Sequence, residues 1–469
     1  MRKQRLVLGA LLVFAAGPAA GADFTAGVAK RPITPELKPG TAVWMAGFGN
    51  GRAATGVHDD LWARCLAMAA GGKPVVICGV DSIGLFFEDV KRIREGARAA
   101  LGREVDVIMA STHVHEAPDT MGLWGPQMGV SGIDEAYNQL VVDRTVEAAI
   151  EAVSGMRPAT ARVAGVTPAD VGRFFDDDRP PNLNDPEILV LGIDDARGRR
   201  VATLVNWASH PEALGSKNTL LTADWPWALV RDVEKQAGGI AVFVNGAIGG
   251  MQSPLGTALI DPANGQAAPK ETFRFAEIVG EYVARHVLTA TKAARVVEVS
   301  SIDYRETVVE IPVSNQAYLM GSQVGVFKGR KPMSATNSTF APVGYLKLMA
   351  GATPALEAAL VPGELYPELS VGGIARDPGA DFPDAPEEKA IKRLMTAPVR
   401  MLFGLANDEI GYIIPKAEWD EKPPFTFGAQ KRWYGEVNSV GPDAAPLIIG
   451  AFERLRAGAV QAPGQVLVK

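Results

Sequence analysis

Val105-Asp106-Val107-Ile108-Met109-Ala110-Ser111-Thr112-His113-Val114-His115-Glu116 begins as an apolar run and ends in ionisable side chains. A short apolar run of this kind suits a strand buried on both faces. In extended backbone residues i and i+2 point the same way, so His113 and His115 are expected to reach one site together. Two adjacent imidazoles favour a divalent metal, zinc most typically.

The same design recurs along the chain. Val201 to Trp207 is an apolar strand pattern that leads into Ala208-Ser209-His210-Pro211. Ile240 to Val244 leads into Asn245-Gly246-Ala247-Ile248-Gly249-Gly250, where glycine permits close approach of a ligand. This is not a phosphate loop, since no Gly-Lys-Ser/Thr follows. Val361-Pro362-Gly363-Glu364 and Asn407-Asp408-Glu409-Ile410-Gly411-Tyr412 each follow an apolar stretch and offer oxygen ligands. Three of the five histidines thus sit at strand exits, where α/β proteins place their chemistry. His58, in Gly56-Val57-His58-Asp59, is a candidate fourth pocket residue. Asp81 and Asp224 are candidate acceptors for the second nitrogen of a metal-bound histidine.

Strands are expected at 75–82, 105–112, 159–166, 187–193, 200–207, 240–245, 297–311 and 399–405. Helices are expected at 85–101, 134–154, 224–236, 271–294 and 444–456. Strand and helix patterns alternate, with three successive strands over 159–207. The fold class is therefore α/β, with mixed β-sheets flanked by helices in a single large domain. Stretches 313–342 and 366–388 read as loop-rich. Gly71-Gly72 marks a hairpin between Leu61–Ala70 and Lys73–Ser82. Pairing Ala70 with Lys73 puts Cys65 opposite Cys78, a non-hydrogen-bonded position, so a cross-strand disulfide is expected; two free buried thiols are the alternative.

The 469 residues are 47% hydrophobic and 21% charged, with a net charge of −6 and five histidines but only two cysteines. Disorder and sulfur-rich metal sites are excluded, and no basic block invites nucleic acid. Arg2, Lys3 and Arg5, the apolar run Leu6–Ala16 and the small residues Ala20-Gly21-Ala22 read as a signal peptide, residues 1–22. No later run reaches the roughly 18 apolar residues of a transmembrane helix. The expected location is secreted or periplasmic, where a disulfide is permitted.

Taken in order, these motifs resemble the neutral (alkaline, non-lysosomal) ceramidase family in its N-terminal catalytic domain. The resemblance rests on Ser111-Thr112-His113-Val114-His115, Asn206-Trp207-Ala208-Ser209-His210-Pro211, Asn245-Gly246-Ala247-Ile248-Gly249, Pro362-Gly363-Glu364 and Asn407–Tyr412, supported by Ala26–Lys30 with Ile33-Thr34-Pro35. It spans nearly all of 23–469. It implies Zn2+ held by His113, His210, Glu364 and Tyr412, with His115 beside the metal-bound water. Tyr434, in a segment similar to the family's Gln-x-Tyr-Glu, would polarise the substrate carbonyl, although Gly435 intervenes. Asn245 and Gly246 would line the site.

The chain departs from the family around these residues. Glu116-Ala117-Pro118-Asp119 replaces Ser-Gly-Pro-Gly, and these two acids would stand at the pocket mouth. Gly-Asp-x-Ser-Pro becomes Gly249-Gly250-Met251-Gln252-Ser253-Pro254, without the aspartate. No immunoglobulin-like C-terminal domain is expected. The resemblance implies a zinc-dependent amidohydrolase that cleaves ceramide or another N-acyl amide. Its substrate would be a lipid or small molecule, with transient membrane-surface contact left open and no oligomeric state specified. The alternatives are the same site acting on a different amide or ester, or a secreted metal- or ligand-binding protein without turnover.

Overall fold

The computed structural model describes residues 24–327, 330 and 336–458; the signal segment lies outside the described residues. Asp106–Ser111 is a strand buried along almost its whole length. It pairs in parallel with Val75–Val80. It lies at one edge of a nine-stranded mixed sheet whose other edge is Ile240–Asn245. Between those edges run Arg200–Trp207, Ile188–Asp195, Arg157–Val166, Phe24–Pro32, Trp62–Ala70 and Val75–Val80, with Arg295–Val297 paired to Arg157–Val166. A second sheet orders Ser301–Pro312, Ser338–Ala350, Thr353–Leu360 and Val399–Phe403.

The two sheets face each other. Leu66, Ile77, Ile108, Leu204 and Val242 of the large sheet share one core with Leu346, Leu356, Met401 and Phe403 of the small one. Helices cover the outer faces. Phe87–Leu101 buries Val90, Ile93 and Ala97, a three-then-four spacing that makes one apolar stripe. Its acidic first turn and the left-handed Gly102 after its last turn suit helix ends. Glu135–Ser154 lies beside it, capped by Asp134, whose carboxylate accepts from the N–H groups of Ala136 and Tyr137. Trp225–Ala237 and Phe273–Lys292 cover the other half of the large sheet. Ala444–Arg456 covers the small one. The result is a helix–sheet–sheet–helix arrangement in one domain.

The large sheet curls until its edges are neighbours. Asn245 O accepts from Gly404 N (3.1 Å), and Leu405 O accepts from Ser111 N (3.2 Å), so the segment after Val399–Phe403 stitches one edge to the other. That closure brings the ends of the histidine-bearing strands together.

The five expected helices form within two residues of their expected ends. The expected strand 297–311 is two strands, Arg295–Val297 and Ser301–Pro312. The two loop-rich stretches hold structure as well: helix Gln316–Gln323 and the start of Ser338–Ala350 in one, helix Pro367–Val371 in the other. Thr353–Leu360 escaped notice because Thr-Pro-Ala-Leu-Glu-Ala-Ala-Leu has weak strand propensity; burial between neighbours makes it a strand. Cys65 and Cys78 pair in the expected register and are bonded, with an S–S distance of 2.05 Å.

Candidate metal centre

His113 leaves its strand in the left-handed region, φ 68°. The expected alternation of an extended segment is therefore not what joins His113 to His115. Such a backbone costs about 1–3 kcal/mol and persists only where its surroundings enforce it. Here His113 N donates to Ser82 O at 2.9 Å, and its Nδ1 lies 2.7 Å from Ile83 O. A carbonyl only accepts, so Nδ1 carries the hydrogen and Nε2 presents its lone pair. His210 is held alike, with Nδ1 3.1 Å from Gln252 O. Both Nε2 atoms face one carboxylate oxygen: Glu364 Oε2 is 2.9 Å from His210 and 3.5 Å from His113. Glu364 in turn is the register partner of Tyr412 in a two-stranded parallel pair, Glu364–Leu365 with Tyr412–Ile413. Gly411 (φ +85°) precedes Tyr412; a Cβ there would stand 2.0 Å from Asn438 O.

Three lone-pair donors thus converge in a buried place, an arrangement that only a proton or a cation satisfies. Burial drives the pKa of His113 down to about 4, against the pull of Glu364, so its ring is neutral. Burial also disfavours charge on His210, but its bond to Glu364 outweighs this and the pKa rises. Glu364 is pushed up by burial and pulled down further by His113 and His210, so it stays a carboxylate. A divalent cation in place of the His210 proton suits this donor set of imidazole and carboxylate. The ligand atoms of His113, His115 and His210 lie within 4.8 Å of one another, a grouping that can hold a metal ion.

His115 completes the group without joining the carboxylate. Burial and its two histidine neighbours hold its pKa well below the ordinary value. Neither ring nitrogen has a hydrogen-bond partner, although Nδ1 is 3.2 Å from Glu212 Oε2. Gly47 packs on this ring, and any Cβ there would stand 2.3 Å from its Cγ. Glu212 is buried with both carboxylate oxygens unbonded. The sequence reading missed it, because no local motif marks it; its position two residues after His210 was the available clue.

The chain matches no family model and no curated protein. Among the solved structures it matches, two are covered over 77% of their length by 96% of this chain, each with a TM-score of 0.72. One is neutral ceramidase from Pseudomonas aeruginosa at 17% identity, and the other is described as a ceramidase complexed with C2, at 16%. The chain has the neutral ceramidase fold.

Within that ceramidase fold Asn245 acts as a tie. Its Nδ2 donates to Thr112 O and Ser209 O, both at 3.0 Å, fixing the residues just before His113 and His210. Gly246 lies against Ala208, 3.0 Å from where its own Cβ would be. Tyr434 stands half exposed at the cleft, its ring 5.8 Å from that of Tyr412.

Four expectations need correction. Asp81 does not accept from a histidine; it takes Trp62 N (2.9 Å) and Thr112 Oγ1 (3.4 Å) and pairs with Arg64. Asp224 caps Trp225–Ala237 and takes the N–H groups of Ala213 and Leu214, so it shapes the loop after His210 rather than the ring. Backbone carbonyls fill the place intended for both acids. His58 lies outside the cleft, stacked on Phe273 at 3.7 Å and bonded to Asp59. Glu116 and Asp119 are fully buried, not at the mouth. Asp119 gathers the N–H groups of Met121, Gly122, Trp124 and Gly132, and Glu116 faces Arg52.

The ceramidase-fold cleft over these histidines opens to solvent. Ile83, Phe86, Met121, Leu123, Trp124 and Phe327 make its wall apolar. Glu409 lines it too, with a pKa raised well above the ordinary range by burial and by the nearby charge of Glu364.

Proposed function

We propose that this chain is a secreted, zinc-dependent amidohydrolase that cleaves an N-acyl amide, ceramide or a related compound, into an amine and a fatty acid. The observation that carries the reading is the convergence of two Nδ1-anchored histidines on Glu364, beside Tyr412, at the base of an apolar cleft. His113, His210, Glu364 and Tyr412 would hold the metal. Zinc supplies Lewis acidity and lowers the pKa of a bound water to about 7.

The protein supplies the rest. The apolar wall takes the acyl chain and excludes water from the amide. His115, neutral and with no other partner, takes a proton from the attacking water and returns it to the leaving nitrogen. Glu212 Oε2, 3.2 Å from Nδ1, would orient that ring by a small turn that makes the hydrogen bond, which leaves Nε2 to act as the base. The Tyr434 hydroxyl donates to the carbonyl oxygen as negative charge develops there. The Cys65–Cys78 bond and the signal-like start support an oxidising compartment. Among the described residues no helix is long and apolar enough to cross a membrane.

A panel of N-acyl-sphingosine, N-acyl-amino-acid and simple ester probes tests the reading. The expected result is cleavage of an acyl amide that His115→Ala lowers by about 100-fold or more. Stoichiometric zinc with no cleavage of any probe would instead leave a metal-binding protein.

A further inference from the structure

The apolar cleft holds a carboxyl group that the proposed hydrolysis does not use. Glu409 lines the cleft and is only 4% exposed. Its Oε1 accepts from Gly411 N at 2.8 Å. Its Oε2 is buried and has no hydrogen-bond partner among the described residues. Arg330, which lines the same cleft, is already engaged elsewhere. Its Nη1 donates to Asp408 Oδ1 at 2.6 Å, and its Nη2 to Asp408 Oδ2 at 3.1 Å and to Thr339 Oγ1 at 2.7 Å.

Position singles out this oxygen. Glu409 is anchored through Gly411 N, immediately before Tyr412, so it sits on the turn that delivers the proposed metal ligand. Gly84 leaves room for the side chain, since a Cβ there would stand 2.9 Å from Glu409 Cγ. Ile83, Phe86, Met121 and Phe327 of the same cleft offer nothing that hydrogen-bonds, and Tyr318, which also lines it and feels the charge of Glu409, makes no hydrogen bond to Oε2. A buried polar group without a partner is destabilising, and a ligand that brings the partner recovers that loss. A site built this way rejects analogues that lack the matching group more strongly than an apolar pocket rejects a missing methylene.

We propose that Glu409 is a specificity residue whose Oε2 pairs with a polar group of the substrate, a hydroxyl or an ammonium close to the scissile amide. This rests on the hydrolase reading and narrows its substrate class to N-acyl amides of amino alcohols or of diamines. Simple alkyl amides would enter the same cleft and leave Glu409 unpaired.

Three probes with one acyl chain test it: an N-acyl amino alcohol, an N-acyl diamine with a free ammonium and an N-acyl alkylamine. kcat/KM and equilibrium binding would be measured for the wild type, Glu409→Gln and Glu409→Leu, with thermal unfolding to verify that each variant folds. The expected wild-type preference for a donor-bearing probe over the alkylamine is about 10–100-fold. Glu409→Leu erases it. Glu409→Gln keeps a hydroxyl preference and loses an ammonium preference, which distinguishes the two donors. Turnover with the same preference in wild type and Glu409→Leu would overturn the assignment and leave the hydrolase standing. No turnover, but a Glu409-dependent preference in binding, would retire the hydrolase and keep the site. No turnover and no binding preference would overturn both. Should Glu409→Leu not fold, the wild type and Glu409→Gln decide alone: a wild type that handles all three probes alike, or an ammonium preference that survives in Glu409→Gln, contradicts the proposal.

Discussion

His113 adopts a backbone conformation that side chains other than glycine rarely take, and does so between two anchors, Ser82 O and Ile83 O. The strain is explained if the ring must point at Glu364. Replacing His113 or Glu364 with Ala should therefore empty the centre, with zinc per chain measured by elemental analysis falling from about one toward zero. Glu212→Gln should keep the metal but lower kcat by about 10–100-fold with little change in KM, read from steady-state kinetics. Zinc loss in that variant would make Glu212 a ligand instead. Asp81 gives a prediction on pH. Burial, opposed by Arg64, raises its pKa from 3.8 to about 6. The folded chain then binds this proton more tightly than the unfolded one. Asp81 thus favours the fold fully below pH 4, and that contribution is lost as pH rises through about 6. Denaturation midpoints of the wild type relative to Asp81→Asn should fall between pH 4 and pH 6; a relative rise would contradict the assignment.

Elements were legible where their pattern was local. Asp106–Ser111, Arg200–Trp207 and Ile240–Asn245 read as strands because burial on both faces leaves continuous apolar runs. The helix stripes were equally plain. Thr353–Leu360 and Ser338–Ala350 were not, because contacts across the second sheet fix them and their own residues do not. The same holds in the site. His113, His115, His210, Glu364 and Tyr412 stood out by motif, whereas Glu212 and the two carbonyls that anchor the histidines have no sequence signature. The Cys65–Cys78 hairpin was readable from register arithmetic alone. Changing both cysteines to Ala should lower stability by about 2–4 kcal/mol in denaturant titration. An unchanged midpoint would show that the bond contributes nothing. Asn245→Ala should be costly in a different way, by freeing Thr112 O and Ser209 O and loosening both histidine strands at once.

The whole molecule explains why distant motifs make one site. Curling of the nine-stranded sheet brings its first and last edges within hydrogen-bond reach of the segment that follows Val399–Phe403. The ends of the histidine strands then meet Glu364 and Tyr412, delivered from beside the second sheet. At 17% identity the likeness to neutral ceramidase is a likeness of fold. Catalysis by zinc is the claim that most needs a direct test. The most direct is the rate of amine release from a fluorescent N-acyl amide by wild-type protein as purified, after chelation and after zinc is restored, with Glu364→Ala alongside. The expected result is cleavage that chelation abolishes, zinc restores and Glu364→Ala lacks. Cleavage undiminished by chelation or by Glu364→Ala would contradict it.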